Sequence, residues 1–138
     1  MTLSVIIPAY NEAKRIPKTL RDISNFLHSN NVSFEIIVVP NNCSDNTVEI
    51  VKKMQLEILE IKIEEVLNSG VKGNTKGLAI KVGMKKAIGD YHIFIDADNA
   101  THFDYVLDFI NYLRNGFDVV IGSRYVKGAM VVKRQPLP

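Results

Sequence analysis

The chain has 138 residues, 46% hydrophobic and 23% charged, with a net charge of +2. That length buries roughly 68–70% of the unfolded surface without staples, and the composition is that of an ordinary globular chain rather than a disordered one. A charge so close to zero gives no electrostatic footprint for nucleic acid, and no nucleic-acid partner is expected.

Taken in chain order, Ser4–Pro8 reads as a buried strand. Ile16, Leu20, Ile23, Phe26 and Leu27 then fall on one helix face, with Asn11 as N-cap and Pro17 in the first turn. Phe34–Val39 is a second strand, closed by Pro40. Ser44 or Asp45 caps a helix carrying Val48, Val51 and Met54. Leu56–Leu67 alternates like a strand from Ile58 to Ile63 but also carries enough Glu and Lys for a helix; a strand is expected. Thr75–Ile88 is a helix stopped by Gly89-Asp90, and Tyr91–Ile95 is a strand of β-branched and aromatic residues. Asp104–Leu113 is a helix ended by Asn115-Gly116, Val119–Ile121 a last strand, and the residues from Val126 on a loop.

Strands alternating with helices imply βαβ crossovers: an α/β, Rossmann-like three-layer sandwich, with a mainly parallel sheet and helices on both faces. The apolar strand runs suit strands buried on both faces. No repeat or linker divides residues 1–138, so one domain is expected. Cys43 is the only cysteine, which suits a reducing compartment. No secretory pattern opens the chain and no apolar stretch reaches the roughly 20 residues of a membrane span. The expected location is cytoplasmic, with any membrane contact peripheral at the cytoplasmic face.

In open parallel sheets, ligands bind beyond the carboxyl ends of the strands. Polar clusters fall at those ends: Pro8-Ala9-Tyr10-Asn11-Glu12, Pro40-Asn41-Asn42-Cys43-Ser44-Asp45, Asp96-Ala97-Asp98 and Gly122-Ser123-Arg124. Asp96 and Asp98, one residue apart in an extended segment, would point to one side and repel. A hard divalent cation, Mg2+ or Mn2+, relieves that repulsion and takes its remaining ligands from substrate phosphates. The plain alternative is an Asp-rich loop that caps the helix at Asp104. The placement after a buried strand favours the metal. Arg124 supplies the fork that matches phosphate oxygens.

SVIIPAYNEAKRI, VVPNNCSDNT, GNTKGLAIKVGMKKAIGD, FIDADNAT and VVIGSRY, in that order, resemble the GT-A nucleotide-sugar-binding half of the family 2 glycosyltransferases. Within the family, the chain is most similar to the dolichyl- or polyprenyl-phosphate mannosyl- and glucosyltransferases. The resemblance implies that Pro8, Ala9, Tyr10 and Glu12 border base and ribose, with Lys76 and Gly77 nearby. It places Asp96 by the ribose or diphosphate and makes Asp98 the main metal ligand. It implies that Arg124, with Arg134 or Lys133, neutralises phosphates. Asp98 and Arg124 would be catalytic, stabilising a nucleoside diphosphate as it leaves a UDP- or GDP-linked sugar. The implied acceptor is a polyprenyl or dolichyl phosphate.

The chain departs from the family pattern in places. Asn41 stands where an acidic residue is common, so only an amide remains for the base or ribose. Thr75 replaces a glycine before Lys76, and Ala100 stands where some mannosyl members have a glutamine. The family's catalytic domain runs well beyond 138 residues. The donor half is therefore expected nearly whole and the acceptor half lacking, with an exposed edge that favours a homodimer. Two other classes are a non-catalytic nucleotide-sugar-binding remnant and a sugar-phosphate nucleotidyltransferase. The second normally carries a Gly-rich basic loop after the first strand, which PAYNEAKRI lacks. His102, Cys43, Asp90 and the Lys81, Lys85, Lys86 face have plain structural readings.

Overall fold

In a computed structural model, which describes residues 1–67, 75–123, 125, 127 and 128, strand β1 (Thr2–Ala9) is buried from Leu3 to Ala9. Such a strand needs a neighbour on each edge and a layer on each face. Strand β2 (Ser33–Pro40) pairs parallel with one edge of β1, with Val5 opposite Ile36. Strand β4 (Tyr91–Phe94) pairs parallel with the other, with Val5 opposite Ile93. Strand β3 (Ile61–Ile63) extends the sheet beyond β2, giving the order β3-β2-β1-β4.

Among the described residues four α-helices follow the strands: α1 (Ile16–Ser29), α2 (Thr47–Met54), α3 (Lys76–Lys86) and α4 (Val106–Arg114). Strand side chains alternate between faces. On one face Ile6, Ile37 and Val39 pack with Ala79 of α3. On the other, Phe34 meets His28 of α1 edge-on, with ring centroids 4.9 Å apart. Helices therefore cover both faces, as expected. α1 buries Ile16, Leu20, Ile23 and Leu27. Phe26 lies beside that stripe and meets Phe103 edge-on at 5.7 Å.

Several expectations are corrected. Asn11 does not cap α1, whose N-cap position is Arg15. A turn intervenes in which the N–H groups of Arg15 and Ile16 both donate to the Glu12 carbonyl at 2.9 Å. Asn46, not Ser44 or Asp45, holds the N-cap position of α2. β4 is not buried on both faces: His92 and Phe94 are exposed, because it is an edge strand among the described residues. Val119–Ile121 forms no strand, and Val119 and Ile121 are largely exposed. A three-residue apolar run without a ladder partner has nothing to hold it extended.

The chain divides into two units, Met1–Asp104 and Tyr105–Pro138. In the first, β1 runs through α1 to β2 on one side, while α3 returns the chain to β4 on the other. The strand order thus reverses at β1 and β4, and that switch point leaves a crevice at their carboxyl ends. In the second unit, Tyr112 meets Phe117 edge-on at 5.8 Å just past α4.

Candidate active site

The crevice contains a cleft of about 280 Å³ lined by Pro8, Tyr10, Glu12, Arg15, Asn41, Lys76, Asp96, Ala97 and Asp98. That is near the lower end of ligand pockets, which run roughly 300–1,000 Å³. All nine residues belong to the first unit.

The loop after β1 is fastened to the loop after β2. Asn11 adopts a left-handed conformation, φ 52°, which asparagine tolerates. Its Oδ1 accepts from the Ser44 N–H at 2.8 Å. The Glu12 N–H donates to Thr47 Oγ1 at 2.9 Å, and the Ala13 N–H to Asp45 Oδ2 at 3.1 Å. Burial works to raise the Asp45 pKa, but hydrogen bonds from Thr47 and Ala13 outweigh it and hold the carboxyl below its usual range. This stitching fixes where Tyr10 and Glu12 stand.

The Glu12 carboxylate is occupied. Arg15 Nε donates to its Oε2 at 2.7 Å and Nη2 to its Oε1 at 2.8 Å. Lys76 opens α3, where a cation opposes the helix dipole. It is placed there by an ion pair with Asp96. Asp98 follows in the turn, and its Oδ1 accepts from the Ala100 N–H at 3.0 Å. Thr19 Oγ1 holds the Ala97 carbonyl between the two acids at 2.8 Å. Asn99, left-handed with φ 56°, donates to Asp22 at 2.7 Å and anchors the far side of the turn on α1.

The expected site residues thus fall into three groups. Pro8, Tyr10, Glu12, Asn41, Lys76, Asp96 and Asp98 come together in the cleft. Ala9 and Gly77 are not among its lining. The Ala9 side chain is fully buried, and its carbonyl accepts from the Asn41 N–H at 2.9 Å and from Cys43 Sγ at 3.3 Å. Gly77 faces open space in the first turn of α3. Arg124, Arg134 and Lys133 lie outside the described residues, and Gly122 and Ser123 belong to the second unit.

Asn41 lines the cleft but is committed to the protein. It is 1% exposed, its Oδ1 accepts from the Thr75 N–H at 2.9 Å, and its Nδ2 donates to the Ala9 carbonyl at 3.3 Å. It ties the ends of β1 and β2 to the start of α3. Arg15 is the charged lining residue that the sequence reading passed over. Its signal was the spacing to Glu12, three residues earlier, once the intervening turn is known. Among the described residues no three acidic, histidine or cysteine side chains form a ready metal cage. Beside Glu12, which Arg15 occupies, the cleft offers the carboxylates of Asp96 and Asp98, a donor set that fits a hard divalent ion completed by phosphate and water.

A family model for Glycosyl transferase family 2 matches residues 4–137. A dolichol-phosphate mannosyltransferase of Pyrococcus furiosus is 34% identical over 131 residues, covering 95% of this chain and 35% of that protein. A dolichyl-phosphate β-glucosyltransferase of Dictyostelium discoideum is 34% identical over 148 residues, covering 96% of this chain and 43% of that one. The chain therefore spans less than half the length of these relatives. Among solved structures, residues 1–349 of S. aureus TarS in complex with UDP-GlcNAc match with a TM-score of 0.61 and 28% identity, over 83% of this chain and 32% of that one. The fold is that of the GT-A glycosyltransferases, and the chain belongs to glycosyl transferase family 2.

Proposed function

We propose that the cleft binds the nucleotide part of a UDP- or GDP-linked sugar together with Mg2+ or Mn2+, for transfer of the sugar to a polyprenyl or dolichyl phosphate. The pairing of charges carries this reading. Glu12 pairs with Arg15 and Asp96 with Lys76, which among the described residues leaves Asp98 as the cleft carboxylate outside an ion pair. The lining is thus net negative by one charge at the switch point of the sheet, an arrangement that favours a cation. The relatives named for dolichyl-phosphate acceptors and the UDP-GlcNAc bound to TarS support the same substrate classes.

In the reaction, an acceptor oxygen attacks the anomeric carbon. The bond from that carbon to the diphosphate oxygen breaks, and the nucleoside diphosphate leaves with the electron pair. A lipid phosphate is already anionic, so no side chain need remove a proton. Asp98, with Asp96, would hold the metal, which supplies positive charge to the departing diphosphate. The β1 loop positions the nucleoside. Lys76 stands close enough to Asp96 to exchange that partner for a phosphate oxygen. Arg124 and Arg134 are proposed phosphate partners. The protein's contribution is orientation and preset charge.

Calorimetric titration with UDP, GDP, UDP-glucose and GDP-mannose, with and without Mn2+, tests the reading. One nucleotide should bind in a metal-dependent way. A folded protein that binds none of the four with Mn2+ present would refute the donor site.

A further inference from the structure

We infer that Arg15, held in place by Glu12, reads the nucleobase of the donor, an assignment that rests on the donor-site reading above. The pairing is side-on: Nε and Nη2 meet the two carboxylate oxygens at 2.7 and 2.8 Å. A guanidinium has five N–H donors, so this leaves the Nη1 hydrogens and one on Nη2 as a second, end-on fork. Both residues line the cleft, and the Arg15 side chain is 57% exposed against 14% for Glu12, so the guanidinium is the more accessible member of the pair.

That fork is fixed in direction. Glu12 is pinned at both backbone ends, its N–H donating to Thr47 and its carbonyl accepting from Arg15 and Ile16. Its carboxylate then pins the guanidinium. The same carboxylate cancels most of the cation's long-range pull on a diphosphate. What remains is a directional pair of donors with little net charge, which suits neutral acceptors such as the carbonyl oxygens and ring nitrogens of a base.

Position agrees. The strand order β2-β1-β4 sets the carboxylates Asp96 and Asp98 at the β4 end of the cleft. The metal and diphosphate belong there. Arg15 and Tyr10 arise from the β1 end, on the side where the nucleoside must lie. Arg15 is therefore a specificity-determining residue and Glu12 a positioning residue.

The test is titration of UMP, UDP, GMP and GDP, each with Mn2+, into the wild type, Arg15→Lys and Glu12→Gln, with thermal melts to show that each is folded. Lysine keeps the charge but cannot form the fork. Arg15→Lys should weaken the preferred diphosphate about tenfold, the worth of a good hydrogen bond. It should weaken the matching monophosphate by the same factor and bring the two bases toward equal affinity. Glu12→Gln, which leaves the guanidinium charged but unaimed, should narrow the difference between the two bases for the monophosphates and the diphosphates alike. A loss that grows from monophosphate to diphosphate would assign Arg15 to phosphate and overturn the inference. So would unchanged affinity, or an unchanged base preference, in Arg15→Lys. Wild-type protein that binds no nucleotide would instead overturn the donor site itself, and Arg15's role with it.

Discussion

Gly83 sets how closely α3 can lie on the sheet, and therefore where Thr75 and Lys76 at its start meet the cleft. A Cβ at this position would stand 2.4 Å from Ile6 Cγ2 and 3.1 Å from Val39 Cγ2. Both are branch methyls of fully buried strand residues, and β-branched side chains are stiff at χ1. They cannot swing away as the end of a lysine would. Gly83→Ala should gain about 1 kcal/mol from helix propensity. Forcing an extra methyl into a filled core costs roughly 1–3 kcal/mol. At 2.4 Å the overlap is severe, so the upper part of that range applies and the net effect is a destabilisation of about 1–2 kcal/mol. Gly77, in the same helix, has nothing within 4 Å of its Cβ position, so Gly77→Ala should be neutral or stabilising. Urea unfolding of the two variants beside the wild type measures the contrast. Gly83→Ala as stable as Gly77→Ala would refute the close seating of α3 on β1 and β2.

Three further outcomes follow from buried polar groups. Glu35 is 5% exposed and accepts from Ser4 Oγ at 2.5 Å, Lys62 Nζ at 2.6 Å and the Ile88 N–H at 2.8 Å. Hydrogen bonds to a charged group contribute about 1.5–3 kcal/mol each, and Lys62, half exposed, regains water when released, so Glu35→Gln should cost about 2–3 kcal/mol by urea unfolding. Burial works to raise the Glu35 pKa, but bonds from Ile88, Lys62 and Ser4 prevail and hold it below its ordinary value of 4.5. A lowered folded-state pKa gives stability that is present above the unfolded value and lost as pH falls through the folded one. The wild type should therefore lose its advantage over Glu35→Gln below about pH 4.5, and a difference constant to pH 3 would contradict the assignment. Asn41→Asp keeps the acceptor for Thr75 but sets an anionic oxygen against the Ala9 carbonyl in a 1% exposed position. It should cost at least about 1–3 kcal/mol in thermal or urea melts and weaken nucleotide binding.

Much of the molecule was legible in its residues because the deciding signals were local. The apolar run of β1, the β-branched run of β2 and the polar clusters after them mark strand ends whatever the partners. The place of Asp96 and Asp98 in the cleft was readable for the same reason: two charges just past an apolar run mark the end of a strand. Long-range pairing was not legible. Nothing in Val119–Ile121 says that it lacks a ladder partner among the described residues, and nothing in Tyr91–Ile95 says that β4 lies at an edge among them. Asn41 shows the limit most clearly. Its amide looks free to meet a nucleotide, yet both its ends are taken by Ala9 and Thr75, which lie 32 and 34 residues away. Arg15 was passed over because its partner is set by a turn that periodicity does not reveal.

The most direct measurement is a crystal structure of the protein grown with Mn2+ and its preferred nucleoside diphosphate, with anomalous scattering used to find the metal. The expected result is a manganese peak coordinated by the Asp98 carboxylate, with the diphosphate on its other side and the base toward Tyr10 and Arg15. A nucleotide bound in the cleft with the manganese away from Asp98, or a manganese–nucleotide pair bound elsewhere on the molecule, would contradict it.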